Sequence, residues 1–543
     1  MPAFVTLDSV TYRAPDGRTL LENLTLAFGR ERTGLVGRNG VGKTTLIRLV
    51  LGELTPTFGT IATLGRLALL RQVLGPPEGD ASLADILGVR EGLERLARLE
   101  AGAGAGGDLE HADWALQQRT ETALADVGLA GFPLDRPAAS LSGGEATRAA
   151  LAALLIAEPD VLIMDEPTNN LDLGARAAVA DLLAGWKGGA IVVSHDRTLL
   201  RQMDRIVELT SLGANVYGGS YDLYAERKAA EEAAAVRDLE AAGQTLGRVK
   251  GEIQTARERK WKSDARGRRV RAKGGQPRIV LNAKKGRAQD SGGRLTRLAE
   301  RQRGEAERDL ADAEARIERV RRLMFELPAS ELAAGRQVLA FDGVGFAWPD
   351  GRRVLDKLSF RMVGPARVAV TGPNGAGKTT LIRLAIGELQ PDRGDIRRGV
   401  EAVLLDQRVG LLAVDETLTQ NFRRLNPGAN DNDAHAALAR FLFRNVQGGK
   451  LAGELSGGER LRAGLACVLM RPHPPQLIVL DEPTNHVDLD SIAAIEAALA
   501  AYDGALLVVS HDRDFLGAID VDRFLLLPEG EGGTHAAASG EGR

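Results

Sequence analysis

The chain has 543 residues, of which 44% are apolar, and its formal net charge is −3. This length suffices for three or four domains, and no run approaches the roughly 18–20 uninterrupted apolar residues of a membrane-spanning helix. The single cysteine, Cys467, excludes a disulfide framework, and we expect it to be a small buried residue of a helix. The amino-terminal sequence lacks the basic and apolar segments of a signal peptide, so a cytoplasmic protein is predicted.

Residues 1–218 are predicted to form a first α/β module. Three short, apolar, β-branched runs favour buried parallel strands, at Thr33–Val36, Val161–Met164 and Ile191–Ser194. Helical periodicity is found between them, at Thr44–Leu51 and Glu145–Ala157. This alternation predicts an α/β fold around a parallel sheet.

The sequence GRNGVGKTT at 37–45 follows one of these strands and opens one of these helices, as a phosphate-binding loop does. Its glycines let backbone N–H groups converge on phosphate oxygens at a helix N-terminus. Lys43 is predicted to contact the β- and γ-phosphates of a nucleotide, and Thr44 is predicted to hold Mg²⁺.

Three further motifs follow in the same module. LSGGE at 141–145 is predicted to open a helix with Ser142 at its N-cap. VLIMDEPTNNLD at 161–172 contains Asp165, whose carboxylate can hold the Mg²⁺ shell, and Glu166, which can polarise an attacking water. VVSHDR at 192–197 places His195 after a strand, where it can sense the γ-phosphate and orient that water.

Residues 219–335 form a linker of different character. Residues 221–262 are rich in Ala, Glu, Arg and Lys, and residues 294–326 carry apolar side chains at alternating spacings of four and three. This spacing is typical of a coiled-coil seam, so a helical hairpin is predicted. Its apolar stripes are Val236, Leu239, Leu246 and Ile253 on the first arm, and Ala306, Leu310, Ala313, Ile317, Val320 and Met324 on the second.

The hairpin tip, at about 259–293, is strongly basic. Residues 243–303 contain 19 Lys or Arg and 5 Asp or Glu, so this stretch carries +14 while the rest of the chain carries −17. A cationic tip gains affinity for RNA by counterion release, and Trp261 can stack on a base or ribose. A solvated spacer is the alternative interpretation. The predicted RNA-binding residues are Arg259, Lys260, Trp261, Lys262, Arg266, Arg268, Arg269, Arg271, Lys273, Lys284, Lys285 and Arg287.

Residues 336–527 repeat the first module motif by motif, as a duplicated and fused domain does. GPNGAGKTT at 372–380, LSGGE at 455–459, LIVLDEPTNHVD at 477–488 and VVSHDR at 508–513 occur in the same order. The residues with corresponding predicted roles are Lys378, Thr379, Asp481, Glu482 and His511. Residues 528–543 are predicted to form a disordered tail.

Together these motifs resemble the ATP-binding cassette superfamily over both modules, almost end to end. The resemblance implies two P-loop ATP-binding cassette domains of α/β class, joined by the long α-helical hairpin linker, with ATP and Mg²⁺ as ligands. In that family the LSGGE signature of one module completes the ATP site of the other. The resemblance also implies that Gln72 and Gln407 join Thr44, Asp165, Thr379 and Asp481 around Mg²⁺.

Two composite ATP sites are therefore expected, each with a glutamate and a histidine as catalytic residues. Site one combines Gly37, Asn39, Gly40, Gly42, Lys43, Thr44, Thr45, Gln72, Asp165, Glu166 and His195 with Ser456, Gly457, Gly458 and Glu459. Site two combines Gly372, Asn374, Gly375, Gly377, Lys378, Thr379, Thr380, Gln407, Asp481, Glu482 and His511 with Ser142, Gly143, Gly144 and Glu145.

The two sites differ at the aromatic residue that the family stacks on adenine. Trp348 fills this position in the second module, whereas its counterpart in the first is Ala14. Tyr12, which matches Phe346, either substitutes for it or belongs to the core. Asn170 replaces the histidine found as His486. Both catalytic glutamates are present, so we expect two active sites whose rates can differ.

Tandem cassettes with a long charged linker and no membrane spans resemble the ABC-F class. The resemblance implies a monomer that binds the ribosome in an ATP-dependent way, with its linker near the large subunit's peptidyl-transferase centre and the peptidyl-tRNA. Two other classes remain open. An ATP-hydrolysing subunit of a membrane exporter requires a membrane partner, and a DNA-maintenance ATPase usually carries a hook or zinc ligands at its arm tip, where this chain has neither Cys nor His.

Overall fold

The computed structural model describes residues 3–70, 81–169, 171–210, 213–272, 300–311, 327–349, 351–406, 409–443, 445–528 and 538–539. The chain divides into two units, of which one comprises Met1–Tyr221 with Leu323–Arg543 and the other comprises Asp222–Arg322. Within the described ranges, every helix is too short or too polar to cross a membrane.

The first half of the larger unit contains two sheets. An antiparallel sheet has the strand order β2-β1-β4, and a six-stranded sheet has the order β5-β6-β7-β3-β8-β9, in which only β9 runs antiparallel to its neighbour. The strands are β1 (Val5–Arg13), β2 (Thr19–Phe28), β3 (Arg32–Val36), β4 (Phe58–Thr63), β5 (Leu67–Leu70), β6 (Val161–Asp165), β7 (Gly189–Val193), β8 (Arg205–Thr210) and β9 (Gly213–Gly218).

Helices connect these strands and cover the six-stranded sheet. They are α1 (Lys43–Val50), α2 (Leu83–Ile86), α3 (Arg90–Glu100), α4 (Leu116–Asp126), α5 (Gly143–Ile156), α6 (Leu173–Gly185) and α7 (Arg197–Leu200). Because β3, β6 and β7 consist of mostly buried and mostly apolar residues, they form the interior of the sheet. The strands and helices predicted here from periodicity are confirmed to within two residues.

The second half repeats this architecture, with sheets ordered β11-β10-β13 and β14-β15-β16-β12-β17-β18. Its strands are β10 (Gln337–Ala347), β11 (Arg353–Val363), β12 (Arg367–Thr371), β13 (Arg393–Arg398), β14 (Ala402–Leu405), β15 (Leu477–Asp481), β16 (Ala505–Val509), β17 (Arg523–Leu526) and β18 (Ala538–Ser539). Its helices, numbered after the linker helix α8 (Tyr221–Ala272), are α9 (Lys378–Ile386), α10 (Leu418–Leu425), α11 (Asp431–Arg440), α12 (Gly457–Leu469), α13 (Leu489–Ala501) and α14 (Arg513–Ala518).

The strand register brings the predicted catalytic motifs to one edge of each parallel sheet. Asp165 at the end of β6 pairs with Val193 at the end of β7, and Asp481 of β15 pairs with Val509 of β16. The residues that follow these strands therefore meet. The fold class predicted from the sequence, α/β with two cassettes and a helical insertion between them, is confirmed.

The cores lie on both faces of the parallel sheets. In each half, one apolar cluster lies between the antiparallel sheet, the parallel sheet and the helix after the phosphate loop. In the second half another cluster joins the opposite sheet face to α10, α11, α12 and α13. Cys467 lies in this cluster and is fully buried, as predicted, and burial raises the pKa of its thiol to about 12.

The linker unit contains α8, whose 52 residues span about 78 Å at 1.5 Å per residue. Residues 300–311 are helical as well. Leu246 and Ala306 are buried, and the other described members of the two apolar stripes are half-buried, which is the pattern of helices that pack along such stripes. Ala313, Ile317, Val320 and Met324 lie outside the described residues.

Two expectations need correction. First, α8 continues to Ala272, so the beginning of the predicted breaker-rich tip is helical. Between 259 and 272 the sequence contains only Gly267 as a breaker, and the stronger Gly-Gly-Gln-Pro run starts at 274. Second, Ala538–Ser539 of the tail pair as β18 with β17, because the edge strand β17 offers unpaired backbone groups.

Candidate nucleotide-binding sites

Each predicted phosphate loop makes a sharp turn that requires glycine. Gly42 is the N-cap of α1 and has a left-handed φ of 110°, and Gly377 before α9 has a φ of 95°. Both loops thus deliver a helix N-terminus, where backbone N–H groups attract an anion. This geometry suits the phosphates of a nucleotide.

The predicted phosphate-binding lysines lie within their own loops. The Lys43 ammonium donates to the carbonyls of Gly37 (2.5 Å) and Arg38 (3.2 Å), and it lies 3.1 Å from His195 Nε2. In the second cassette Lys378 donates to Gly372 (2.7 Å) and Pro373 (3.1 Å), and lies 3.1 Å from Nε2 of His511. Burial lowers the pKa of both lysines. The backbone carbonyl groups therefore hold each ammonium group against its own loop, within reach of a phosphate bound there.

Glu166 and Glu482 follow the last strand residue with an unusual backbone. Their φ values are 49° and 47°, and their N–H groups donate to Val193 O and Val509 O at 2.9 Å each. A non-glycine residue in the left-handed region is strained, and such strain clusters at functional sites. Here it turns each carboxyl group toward the neighbouring histidine.

The glutamate–histidine pairs have similar geometry at the two sites. Glu166 Oε1 lies 3.3 Å from His195 Nε2, and the corresponding distance between Glu482 and His511 is 3.6 Å. Burial raises the pKa of Glu482 to about 7, against the opposing charges of Arg176 and Lys378, and lowers the pKa of His511 to about 4. Burial shifts the pKa of Glu166 upward and that of His195 downward. Both histidines are therefore neutral at pH 7.

The donor atoms beside each loop fit Mg²⁺. The Thr379 hydroxyl donates to Asp481 Oδ2 at 3.2 Å, and Thr44 hydrogen-bonds to Asp165 in the same way. Mg²⁺ prefers such hard oxygens and takes its other ligands from phosphates and water. Accordingly, the described residues contain no cage of three or more acidic, His or Cys side chains. Gln72 and Gln407 lie outside the described residues.

The two signatures begin helices with a reciprocal cap. Ser142 and Ser456 are the N-caps of α5 and α12, and each hydroxyl accepts from the N–H of the glutamate three residues later at 3.3 Å. Glu145 and Glu459 accept in return from the serine N–H groups, at 2.7 and 2.9 Å. This capping box fixes the start of each helix, as the LSGGE sequence predicts for the serine.

The segment after the second Asp-Glu motif contacts the first phosphate loop. The backbone N–H of Asn39 donates to Asp488 Oδ2 at 3.1 Å, and its side-chain amide donates to the carbonyl of His486 at 2.9 Å. The cassettes therefore face each other across the predicted sites. Asn169 of the first cassette also lies 3.1 Å from the ring of His486.

Two cavities lie at these junctions, each lined by both cassettes. At site two a cavity of about 430 Å³ is lined by Lys378, Glu482, His511 and Trp348 together with Leu171 of the first cassette. At site one a cavity of about 370 Å³ is lined by Thr44, Asp165, Glu166 and Asn169 together with His486 of the second. Each predicted catalytic glutamate thus faces a cavity that the opposite cassette helps to close.

The described residues that line these cavities do not include the signatures. Glu459 and Arg462 of α12 lie near enough to Arg38 for their charges to shift pKa values across the interface, but the segment after the Asp-Glu motif contacts the loop instead. The second signature thus lies on the side of site one, as the family resemblance implies, without entering its cavity.

The adenine position differs between the sites as expected. Trp348 lines the cavity at site two and stacks edge-to-face on Phe346 at 5.3 Å. Ala14 and Trp348 occupy equivalent turns, because each N–H donates to the carbonyl four residues later, in Arg18 and Arg352. Tyr12 packs against the core of the first cassette and is absent from the described lining of site one.

Inter-cassette arginines were missed by sequence reasoning. The described residues include three ion pairs between the cassettes, and in each the arginine belongs to the first cassette: Arg38–Asp490 (2.9 Å), Arg197–Glu496 (2.7 Å) and Arg201–Asp514 (2.7 Å). At the equivalent positions of the opposite cassettes Arg197 corresponds to another arginine, Arg513, whereas the other five residues are replaced by Pro373, Gly174, Ala180, Gly517 and Thr198. A comparison of the two modules, position by position, could have identified them.

The predicted RNA-binding residues lie at the end of α8 and beyond it. Arg259, Trp261 and Lys262 are exposed, and the exposed fraction of Trp261 is 68%. Lys260, Arg266, Arg268, Arg269 and Arg271 belong to the same helix, although the structure does not describe their side chains. Lys273, Lys284, Lys285 and Arg287 lie outside the described residues. The described part of the tip therefore presents an aromatic ring between cations.

Comparison with known proteins identifies relatives along the whole chain. The sequence profile of the ABC transporter family matches residues 21–169 and 355–485. The chain is 32% identical to the tylosin resistance ATP-binding protein TlrC of Streptomyces fradiae, over 94% of each chain. It is 32% identical to the energy-dependent translational throttle protein EttA of Mycobacterium tuberculosis, over 95% of this chain and 90% of that one. It is also 34% identical to the ATP-binding protein Uup of Caulobacter vibrioides, over 96% and 77%.

Solved structures share the fold at lower identity. An RNase-L inhibitor structure matches 96% of this chain and 87% of that chain, with a TM-score of 0.52 and 18% identity. The archaeal ribosome recycling factor aABCE1, solved in complex with the ribosomal stalk protein aP1, matches 95% of this chain with a TM-score of 0.51 and 18% identity. These likenesses show the tandem-cassette fold.

Proposed function

This chain belongs to the ATP-binding cassette family, in its ABC-F class, and on that premise we propose that it is an ATPase that binds the ribosome in an ATP-dependent way and acts on translation through its linker tip. The proposal has three parts, which are ATP hydrolysis at two sites, closure of the cassettes, and contact between the tip and RNA.

The hydrolysis part is supported by the pairing of a phosphate loop with a glutamate and a histidine at both sites. Lys43 and Lys378 bind phosphate oxygens, and the Thr–Asp pairs hold Mg²⁺, which supplies charge neutralisation for the phosphates when bound. Glu166 or Glu482 accepts a hydrogen bond from water, whose oxygen attacks the γ-phosphorus while the bond to the β–γ bridging oxygen breaks. The water proton leaves through the glutamate, and the products are ADP and phosphate.

The neutral histidines suit a positioning role in this reaction. His195 and His511 are each within about 3.1–3.6 Å of both the lysine and the glutamate of their site. A neutral imidazole beside an ammonium group accepts a hydrogen bond through Nε2, so Nδ1 carries the proton. Each histidine thus accepts from its lysine and holds that lysine beside the glutamate, a position from which the imidazole can orient the attacking water.

The closure part is supported by the shared cavities. Since Leu171 and His486 line sites built on the opposite cassettes, a nucleotide at either site touches both. A ligand that bridges two bodies stabilises their closed arrangement by its differential affinity. We infer that ATP draws the signatures onto the nucleotides and that hydrolysis releases them, which couples turnover to cassette closure within one monomer.

The observation that carries the ribosomal part is the exposed Trp261 between Arg259 and Lys262 on a 52-residue helix. Aromatic rings that lie between cations are used to stack on unpaired bases, and the cations contact the adjacent phosphates. The relatives agree with this interpretation, because they include a translational throttle protein and a tylosin resistance protein. We therefore assign the large subunit and peptidyl-tRNA as partners, in the cytoplasm.

Cell-free translation tests this proposal. The Glu166→Gln/Glu482→Gln variant should bind ATP without hydrolysing it and should inhibit protein synthesis at stoichiometric amounts in the presence of ATP. The matched control adds Arg259→Ala, Trp261→Ala and Lys262→Ala to the same variant and should lose the inhibition. Unimpaired synthesis with the double glutamine variant contradicts the proposal. If DNA stimulates the ATPase activity of the unaltered protein, a DNA-maintenance ATPase is indicated instead. If the unaltered protein is recovered with membranes, a subunit of a membrane exporter is indicated.

A further inference from the structure

We propose that Arg176 of the first cassette is a positioning residue for site two, because it clamps the segment of its own cassette that closes that site. The inference rests on the proposed hydrolysis of ATP at site two and does not depend on the ribosomal part of the proposal.

The clamp consists of two hydrogen bonds made by one guanidinium group. Arg176 Nε donates to the carbonyl of Leu171 at 3.0 Å, and Nη1 donates to Asp196 Oδ2 at 3.1 Å. The side chains of Arg176 and Asp196 are only 16% and 12% exposed. A planar guanidinium fork in such a setting holds both acceptors in a fixed geometry.

The first acceptor belongs to the wall of site two. Leu171 lines the cavity that also contains Lys378, Thr379, Glu482 and His511. Its N–H is bonded only locally, to the carbonyl of Thr168 at 3.3 Å. The hydrogen bond from Arg176 therefore fixes the carbonyl side of this segment against α6.

The second acceptor links the wall to the cassette interface. Asp196 is the N-cap of α7, where its carboxylate accepts from the N–H groups of Thr198 and Leu199. The first residue of α7, Arg197, forms the buried ion pair with Glu496 of the second cassette. One continuous set of contacts thus joins the wall of site two to the surface on which the cassettes meet.

Site one has no such clamp. The residue equivalent to Arg176 in the second cassette is Ile492, which is buried and offers no donor. At the corresponding wall of site one, the described contacts include those from Asn39 of the first phosphate loop to His486 and Asp488. The arginine clamp is therefore a feature of site two.

Two measurements on Arg176→Ile, which copies the residue of site one, test this assignment. In hydrogen–deuterium exchange, the amides of the 166–173 peptide should exchange faster than in the unaltered protein, while those of the equivalent 482–489 peptide should keep their rate. Equal protection of the 166–173 peptide in both proteins would show that Arg176 does not restrain the segment around Leu171. This result would overturn the proposal whatever the ATPase activity.

The second measurement separates the sites kinetically. In the Glu166→Gln background, where site two alone turns over, Arg176→Ile should lower kcat by about tenfold to a hundredfold with less than a threefold change in KM, since a misplacement of 1 Å can cost about a hundredfold. The loss in the Glu482→Gln background should be at least fivefold smaller. Arg176→Lys, which keeps the charge but reaches one acceptor, should give an intermediate kcat.

The outcomes distinguish the possible failures. Equal losses in the two backgrounds would reveal a general folding role and refute the positioning role. Turnover in the unaltered protein that persists when both glutamates are replaced contradicts the hydrolysis proposal itself, whatever Arg176 does. If site two turns over only when site one is intact, the exchange measurement decides the clamp alone.

Discussion

Replacing Arg197 by leucine tests how firmly the two cassettes are joined. Arg197 donates to both oxygens of Glu496, at 2.7 and 3.0 Å, and the two side chains are only 12% and 13% exposed. Removing one partner of a buried pair leaves an uncompensated charge and costs about 3–5 kcal/mol. For domains of this size about 1 kcal/mol shifts Tm by roughly 2–4 °C. We therefore expect Arg197→Leu to lower Tm by about 6–20 °C at pH 8.

The pH dependence of this loss can also be derived. Burial already raises the pKa of Glu496 with Arg197 present, and removal of the guanidinium raises it further. A carboxyl group whose folded pKa lies above its unfolded value destabilises the protein fully above that folded pKa, and the penalty declines as the pH falls from there toward the unfolded pKa. Arg197→Leu should therefore be milder at pH 5, close to the unfolded pKa of a glutamate, than at pH 8. Glu496→Leu should be equally severe at both, because the remaining guanidinium stays charged.

The assay is thermal unfolding followed by circular dichroism, without nucleotide, at both pH values. The control is Arg197→Leu/Glu496→Leu, which replaces the pair by apolar residues and should recover most of the loss. A single variant within about 1 °C of the unaltered protein would refute the reasoning. So would a double variant whose loss equals the sum of the single losses, because independent side chains behave in that way.

Three further outcomes are expected. Glu166→Gln/Glu482→Gln should retain ATP on a desalting column and release no phosphate at steady state; continued release would remove both glutamates from the mechanism. In the Glu166→Gln background, turnover should rise with pH through about 7, since burial raises the pKa of Glu482 to about 7 and only its ionised form accepts a proton; a flat profile between pH 6 and 8 would contradict this. Gly372→Ala should weaken ATP binding more than tenfold in a titration, because the residue has a φ of 151° and its Cβ would lie 2.6 Å from the Leu527 carbonyl oxygen. The control variant Gly428→Ala, whose Cβ would have no atom within 4 Å, should bind ATP as the unaltered protein does.

Local sequence was sufficient to predict the loops, the strands and the capped helices. The glycines at 42 and 377 and the serines at 142 and 456 determine conformation through their own backbone and nearest neighbours. Their structural roles can therefore be predicted without knowledge of tertiary contacts. The junction between Asp165 and His195 also follows, because parallel strands end at one edge of a sheet.

The contacts between cassettes could not be predicted in this way. Arg38, Arg197 and Arg201 acquire their roles from surfaces that are distant in sequence, and a surface arginine is usually only solvated. Helix α8 continues into the predicted breaker-rich tip because Gly267 is the single breaker between 259 and 272, and Arg and Lys are good helix formers. The positive charge of the tip predicts an RNA partner, whereas the length of the helix is limited by helix-breaking glycine and proline residues.

The central claim is ATP-gated binding of the ribosome through the linker tip, and sedimentation tests it most directly. The Glu166→Gln/Glu482→Gln protein should pellet with 70S ribosomes in ATP and remain in the supernatant in ADP. Adding Arg259→Ala, Trp261→Ala and Lys262→Ala should abolish pelleting, whereas Arg237→Ala and Arg248→Ala, which remove exposed charges from the shaft of α8, should leave it intact. Equal pelleting in ATP and ADP, or none in either nucleotide, would contradict the account.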